Sequence, residues 1–334
     1  MTGFNRREFI GTTVAAGVGA WALSRGQQAA WAEEGKGKSI VVSATRDNAT
    51  ADKKIDAAVA KQMVHAVVCK LAGKTKPEEA WATYIKKDDV VGIKINCLFG
   101  VGAATHPEVT AAVVEGCRMA GVPDDKIIIW DRTDKDLEKS GYTVNKGAGV
   151  RCIGVGDEWE EDAVDIHTCK GRLAKILTRE TTALINVPIL KTHVISGITC
   201  ALKNHYGSFH NPRDAHGQKD PKAAHGGGCE PFLAHLNNLK PIREKTRLIV
   251  CDALMPVADQ GPQARPASTW EHKTIMAATD PVALDYVGLK ILDEQRVKIG
   301  KAPLESTGSA KCLFTCAQMG LGVADMSKIE VVKA

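Results

Sequence analysis

The sequence predicts an α/β fold: a largely parallel sheet covered by helices on both faces, with a small peripheral α+β subdomain. Three observations predict it. Short apolar runs alternate along the 334-residue chain with longer segments of helical spacing. Several of those runs are apolar at nearly every position, the pattern of strands buried on both faces. Gly, Pro and Asp punctuate the boundaries between them, as βα and αβ turns require.

Residues 39–43 (SIVVS) read as the first strand. Residues 52–71 set Ile55, Val59, Met63 and Val67 on one helical stripe, which the stretch 73–77 breaks. Residues 90–96 form a strand. Residues 107–119 form a helix opened by Pro107 and stopped at Gly121-Val122-Pro123. Residues 127–131 and 247–252 are apolar strands ending in the carboxylates Asp131 and Asp252. Residues 184–188 are a buried strand, and the spacing predicts a helix over 197–206, with Ser196 as N-cap and Gly207 as stop. Residues 231–239 are helical. Asp280-Pro281 opens a last helix through Leu284, Val287, Leu289 and Leu292; Asp280 suits an N-cap, while Asp285 inside the helix could face a site. The charged stretch 134–180 reads as the peripheral subdomain. The Gly/His/Pro-rich stretch 208–229 reads as a loop or lid.

Ahead of the first strand, Asn5-Arg6-Arg7-Glu8-Phe9-Ile10 is followed by an apolar, small-residue run over 11–23, then Arg25 and Ala30-Trp31-Ala32. This resembles a twin-arginine export signal with a small-x-small cleavage site after Ala32. It places residues 33–334 in the periplasm, delivered folded by the twin-arginine translocase and able to carry a cofactor inserted beforehand. The apolar run is shorter than the ~20 residues of a spanning helix, so no stable membrane span is expected after cleavage. Without Arg6, Arg7, Glu8 and Arg25 the formal charge of +5 becomes +3. No Lys/Arg block is interleaved with aromatics, which make up 5% of the chain, and nucleic acid is not an expected partner.

Ligands of open parallel sheets collect beyond the carboxyl ends of the strands. Alternation puts Val91, Ile93 and Ile95 on one face and Lys94 and Asn96 on the other. His106 follows in Thr105-His106-Pro107. Asp131 and Asp252 end their strands, and Lys191-Thr192-His193 follows another. In the segment NVPILKTHVISGITCALKNHYGSFHN, Lys191 and His193 precede the predicted helix N-terminus, and Lys203 and Asn204 lie within the helix. A helix N-terminus flanked by lysines is an anion site by its N–H groups and dipole. The sequence therefore predicts Lys94, Asn96, His106, Lys203, Asn204 and Asp252 as ligand-binding residues for a small anion, and His193, Lys191 and Asp131 as catalytic.

His193, Cys200, His205, His210, His216, His225 and Cys229 fall within residues 193–229. Thiolates with imidazoles suit zinc, iron or copper, and Cys200, His205, His210 and Cys229 are the candidate ligands of a transition metal or an iron–sulfur cluster. No zinc-finger spacing and no CxxC occurs. Cys312 and Cys316, four apart, read as a metal edge, a disulfide, a redox pair or two core thiols. No Gly-x-Ser-x-Gly elbow is present.

Taken together, KINC near residue 94, THPEVTAAVVEGCRMAGV, NVPILKTH…LKNHYG and DPVALDYVG near residue 280 resemble the domain-of-unknown-function-362 family over about residues 40–292. Some members are called iron–sulfur proteins, chiefly those fused to a ferredoxin module, whose closely spaced cysteine run is absent here. A fainter similarity of the first α/β unit to the nickel-pincer lactate racemase family implies a small hydroxy or carboxylic acid site. Three functions follow: a metal- or iron–sulfur-dependent redox protein, an isomerase- or lyase-like acid/base enzyme acting on a small acid without a metal, or a non-catalytic periplasmic binding or assembly protein.

Overall fold

The computed structural model describes residues 38–167, 169–210 and 229–334. The stretch 1–32 expected to be an export leader, His216 and His225 lie outside the described residues. Strand β1 (Ser39–Thr45) leads through the two-residue strands β2 (Thr50–Ala51) and β3 (Lys54–Ile55) into α1 (Ala57–Ala72). Helix α1 starts two residues after Ile55, because Asp56 caps it by accepting from the Ala58 and Val59 amides. It ends where Gly73 adopts φ 63°, a left-handed C-cap. Helix α2 (Pro77–Tyr84), β4 (Val91–Ile95), α3 (Pro107–Met119) and β5 (Ile127–Asp131) follow.

Residues 134–180 contain α4 (Asp134–Lys139), β6 (Arg151–Gly154), and β7 (Val164–Ile166) paired antiparallel with β8 (Cys169–Gly171). β6 joins the edge of the central sheet beside β5, while β7–β8 stands apart from it. Then come β9 (Ala183–Val187), β10 (Ile189–His193), β11 (Gly197–Thr199), α5 (Ala201–Asn204), α6 (Phe232–Asn237) and α7 (Lys240–Arg243). The chain closes with β12 (Thr246–Val257), β13 (Thr274–Ala278), α8 (Pro281–Lys298), α9 (Lys311–Gln318) and β14 (Ile329–Lys333).

The sheet runs β14-β1-β13-β12-β9-β4-β5-β6. All neighbours on this path are parallel except that β13 opposes both β1 and β12. Two apolar layers flank it. Val91, Ile93, Ile95, Ile185 and Val187 pack under α1, α2 and α3, and Trp130, Leu184, Ile249 and Cys251 pack under α5, α6, α8 and α9. The predicted α/β architecture is therefore the observed one. Among the described residues no helix is long and apolar enough to cross a membrane.

One predicted element is different. The helix expected over 197–206 is a β-hairpin followed by a single helical turn. Lys191 pairs with Thr199 and His193 with Gly197 across β10 and β11, with Gly197 at φ 73° at the entry to β11. β-Branched Ile198 and Thr199 suit a strand better than a helix. The helix keeps only Ala201–Asn204, with Cys200 as its N-cap. β10 continues beyond β9 and pairs with the distal half of β12 through Ile189–Asp252 and Lys191–Val257. That offset lifts Lys191 and His193 above the sheet edge.

Candidate functional site

A cavity of about 360 Å³ lies at the carboxyl ends of β4, β5 and β10, where the fold predicts a ligand. Asn96, Asp131, Lys191, His193, Lys203 and Asn204 line it, so the structure brings these six predicted residues together. Leu98, Phe99, Ile195 and Pro262 make its apolar wall, and Arg132, Thr199, Tyr206 and Gly207 complete it. The rest of the predicted set stands elsewhere. Lys94 lies fully buried behind the wall, and His106 and Asp252 pair with one another outside the lining.

Among the described residues three buried lysines meet three different environments. Lys94 Nζ donates to Asp131 Oδ1 at 2.8 Å and to the Ile95 carbonyl at 2.6 Å. Asp131 Oδ2 accepts from the Cys97 amide at 2.6 Å, so this ion pair is closed on itself. Gly207 packs onto it: a Cβ there would stand 2.7 Å from Asp131 Oδ1 and 3.0 Å from Lys94 Nζ. Lys203 Nζ sits 3.6 Å from the centroid of the Tyr206 ring, a cation–π distance. Burial lowers its pKa against the opposing pull of Cys229 and Cys312.

Lys191 Nζ donates to Asn96 Oδ1 at 2.9 Å and to the Ala103 carbonyl at 2.6 Å. Both partners are neutral. Burial brings its pKa from 10.5 down to about 7; Asp131 works against that shift and the nearby Lys203 adds to it.

The Asn96 oxygen is aimed by a relay of amides. Asn186 Nδ2 donates to the Ala201 carbonyl at 2.9 Å, which turns Asn186 Oδ1 toward Asn204 Nδ2 at 2.8 Å. Asn204 Oδ1 then accepts from Asn96 Nδ2 at 3.3 Å, leaving Asn96 Oδ1 for Lys191. Asn186, one alternation beyond Leu184 on β9, is a residue that the sequence reading did not assign. Its register opposite Lys94 was the signal that could have found it. Tyr206 and Arg132, each adjacent in sequence to assigned segments, were also missed.

His193 Nδ1 accepts from the Ile195 and Ser196 amides at 3.1 and 3.3 Å, so a neutral ring carries its proton on Nε2. His106 Nδ1 lies 2.6 Å from Asp252 Oδ2, which also accepts the His106 amide. Burial lowers the His106 pKa, but the charge of Asp252 and its hydrogen bond outweigh this and leave it raised.

The anion site expected at a helix N-terminus is already filled from within. The Ala201 and Leu202 amides donate to Asp285 Oδ1 and Oδ2 at 2.7 and 3.1 Å. Asp285, the residue inside α8 that could face a site, instead clamps α5. Its own burial raises its pKa to about 7 against the stabilising hydrogen bonds. The anion-binding charge of the cavity therefore comes from side chains, Lys191, Lys203 and Arg132, not from a helix end.

The four metal candidates are not brought together. Cys200 faces Cys251 with sulfurs 3.4 Å apart, and burial raises both thiols. His205 is buried with Nδ1 3.3 Å from Ser208 Oγ, and burial with the Lys94 charge lowers its pKa to about 3. His210 is exposed, edge-on to Trp159 at 5.2 Å between centroids. Cys229 is buried beside Lys203 and Tyr206. Among the described residues no group of three or more His, Cys, Asp or Glu stands together as a metal site, and the donor set does not fit a cluster or a single ion. Cys312 and Cys316 are buried on α9 as core thiols.

Fold and site together define an α/β protein with a lysine-lined cavity at the carboxyl edge of a parallel sheet. The chain belongs to the family described as domain of unknown function (DUF362), whose model matches residues 91–290. No curated protein matches it. Among solved structures it is similar to the lactate racemase apoprotein from Thermoanaerobacterium thermosaccharolyticum, at TM-score 0.44 and 9% identity over 75% of this chain and 56% of that one. A second similar structure is a structural-genomics protein from Thermotoga maritima, at TM-score 0.38 and 10% identity over 79% and 59% of the two chains. The chain thus spans less than two thirds of either.

Proposed function

We propose that the protein is an exported acid/base enzyme that binds a small carboxylic acid in this cavity and moves a proton on it. Lys191 carries the reading: its amine is buried in the cavity wall, held by two neutral oxygens, with its pKa at about 7. A lysine in that state is a general base at neutral pH, the condition in which acid/base catalysis is most efficient. Lys203 supplies the charge that holds the substrate carboxylate, a bond worth about 1.5–3 kcal/mol when charge-assisted. Lys191 takes the proton next to that carboxylate. His193, with Nδ1 already occupied, presents Nε2–H to the oxygen on which charge develops. The twin-arginine leader supports placing this reaction in the periplasm.

The reading is tested by proton exchange. Small hydroxy and oxo acids are incubated with the protein in D₂O, and loss of the C–H signal beside the carboxylate is followed by NMR. Exchange by the parent and its loss in Lys191→Met support the reading. Exchange that is absent, or unchanged in Lys191→Met, overturns it. Secretion of a reporter by residues 1–32, lost when Arg6 and Arg7 become Lys, tests the export route.

A further inference from the structure

Among the described residues, Lys191 is a buried lysine held by two neutral oxygens, where Lys94 is bound to the charged Asp131. A neutral amine has two N–H bonds and one lone pair. Both hydrogens are assigned, one to Asn96 Oδ1 at 2.9 Å and one to the Ala103 carbonyl at 2.6 Å. Tetrahedral geometry then directs the lone pair away from both oxygens, and Lys191 is one of the residues that line the cavity. The amide relay from Asn186 through Asn204 keeps the Asn96 oxygen, rather than its NH₂, toward the amine. Reversal of Asn96 would set a donor against the lysine and break the bond.

The geometry points to Lys191 as a nucleophile that condenses with the carbonyl of a small oxo acid to form an imine, with Lys203 holding the acid's carboxylate. This deepens the proposed acid/base reading and rests on its anion site. Lysines desolvated beside a second cation are the ones suited to this chemistry. Lys203 supplies that second cation, and the low pKa of Lys191 keeps the amine free at neutral pH. Lys94 is equally buried but bound to Asp131, and so serves as an internal comparison.

The step balances without a co-reactant. The Lys191 lone pair forms the N–C bond as the carbonyl π pair moves to oxygen, which accepts a hydrogen bond from His193 Nε2–H. The nitrogen, now cationic, passes one proton to that oxygen, and the C–O bond breaks with the release of water as the second proton follows. Both amine hydrogens leave in that water, and nothing is oxidised or reduced. The cavity of about 360 Å³ has room for a small oxo acid, and Leu98, Phe99 and Ile195 offer an apolar wall for its tail.

The experiment is reductive trapping. The purified protein is treated with pyruvate and borohydride at about pH 7.5, near the Lys191 pKa, and digested, and its lysines are mapped by mass spectrometry. Binding of pyruvate is measured in parallel by calorimetry. The expected result is an adduct on Lys191, equal to the oxo acid less one oxygen atom, that saturates with pyruvate. Butanone, which has a carbonyl but no carboxylate, should need roughly tenfold more, and Lys203→Met should weaken trapping by a similar factor. Lys191→Arg retains a cation and should give no adduct. Pyruvate that binds while adducts are absent, or lie on surface lysines or Lys94, overturns the imine and leaves the anion site standing. Pyruvate that does not bind, with no other small carboxylate binding either, overturns both.

Discussion

Replacing Lys191 by Met removes one titrating group from the cavity wall and keeps a side chain of similar length. An ordinary lysine loses its proton near 10.5, but Lys191 in the fold does so at about 7. Between those values the unfolded chain holds a proton that the folded chain does not. Stability therefore rises with pH across this window and is lowest below it. The slope for one proton is about 1.4 kcal/mol per pH unit, and summed over the window it reaches at most ~5 kcal/mol.

Lys191→Met has no such slope. Its Asn96 and Ala103 oxygens lose a donor, a penalty of about 1–3 kcal/mol each that does not change with pH. Urea unfolding of both proteins, stepped from about pH 6 to about pH 10, gives the difference in stability, in which the other titrating groups cancel. The difference should move in favour of the parent by about 1.4 kcal/mol per pH unit above pH 7 and be flat below it. Parallel profiles would mean that the amine keeps its proton in the fold. The base and nucleophile roles of Lys191 would then both fail.

Asp285 should show the opposite sign. Its pKa is raised from 3.8 to about 7, so the fold holds a proton that the unfolded chain lacks, and stability falls as pH rises through that window. Asp285→Asn should flatten that fall in urea titrations, and an unchanged slope would refute the assignment. His205, with its pKa at about 3, should keep its neutral ring from pH 8 to below pH 5 in an NMR titration; a transition near 6.5 would contradict its burial. Asn186→Leu breaks the first amide of the relay, leaves Asn204 Nδ2 with only the Lys94 carbonyl as acceptor, and removes the donor to the Ala201 carbonyl. It should lower the unfolding free energy by about 1–3 kcal/mol and weaken carboxylate binding in calorimetry, although Asn186 lies outside the cavity lining. Unaltered binding would remove the relay from the site.

The elements with strong local signals were legible in the sequence. Pro107 and Pro281 sit at the first turn of their helices, and Asp280 caps α8 through Val282 and Ala283, so those starts were readable from a few residues. Alternation along β4 correctly separated Lys94 from Ile93 and Ile95. The segment after β10 was not legible, because its fate depends on distant partners. The pairing of Thr199 with Lys191 and the capture of the Ala201 amide by Asp285, 84 positions away, decide hairpin over helix. The density of Cys and His over 193–229 misled in the same way. Although near along the chain, Cys200 stands against Cys251 and His210 against Trp159, not against one another.

The disagreement over the anion site changes what the cavity is. A helix N-terminus would have offered a fixed dipole, indifferent to pH over the physiological range. Asp285 already fills it, so the charge available to a ligand belongs to side chains, Arg132, Lys203 and Lys191, and the protonation of Lys191 is itself in balance. Lys94 contributes little net charge, being paired with Asp131. A carboxylate entering beside Lys191 and Lys203 favours their charged forms, so proton uptake accompanies binding. The same uptake withdraws the Lys191 lone pair needed for attack. A productive ligand must therefore place its carboxylate nearer Lys203 and its reacting carbon nearer Lys191, a separation that an oxo or hydroxy acid provides and a bare inorganic anion does not.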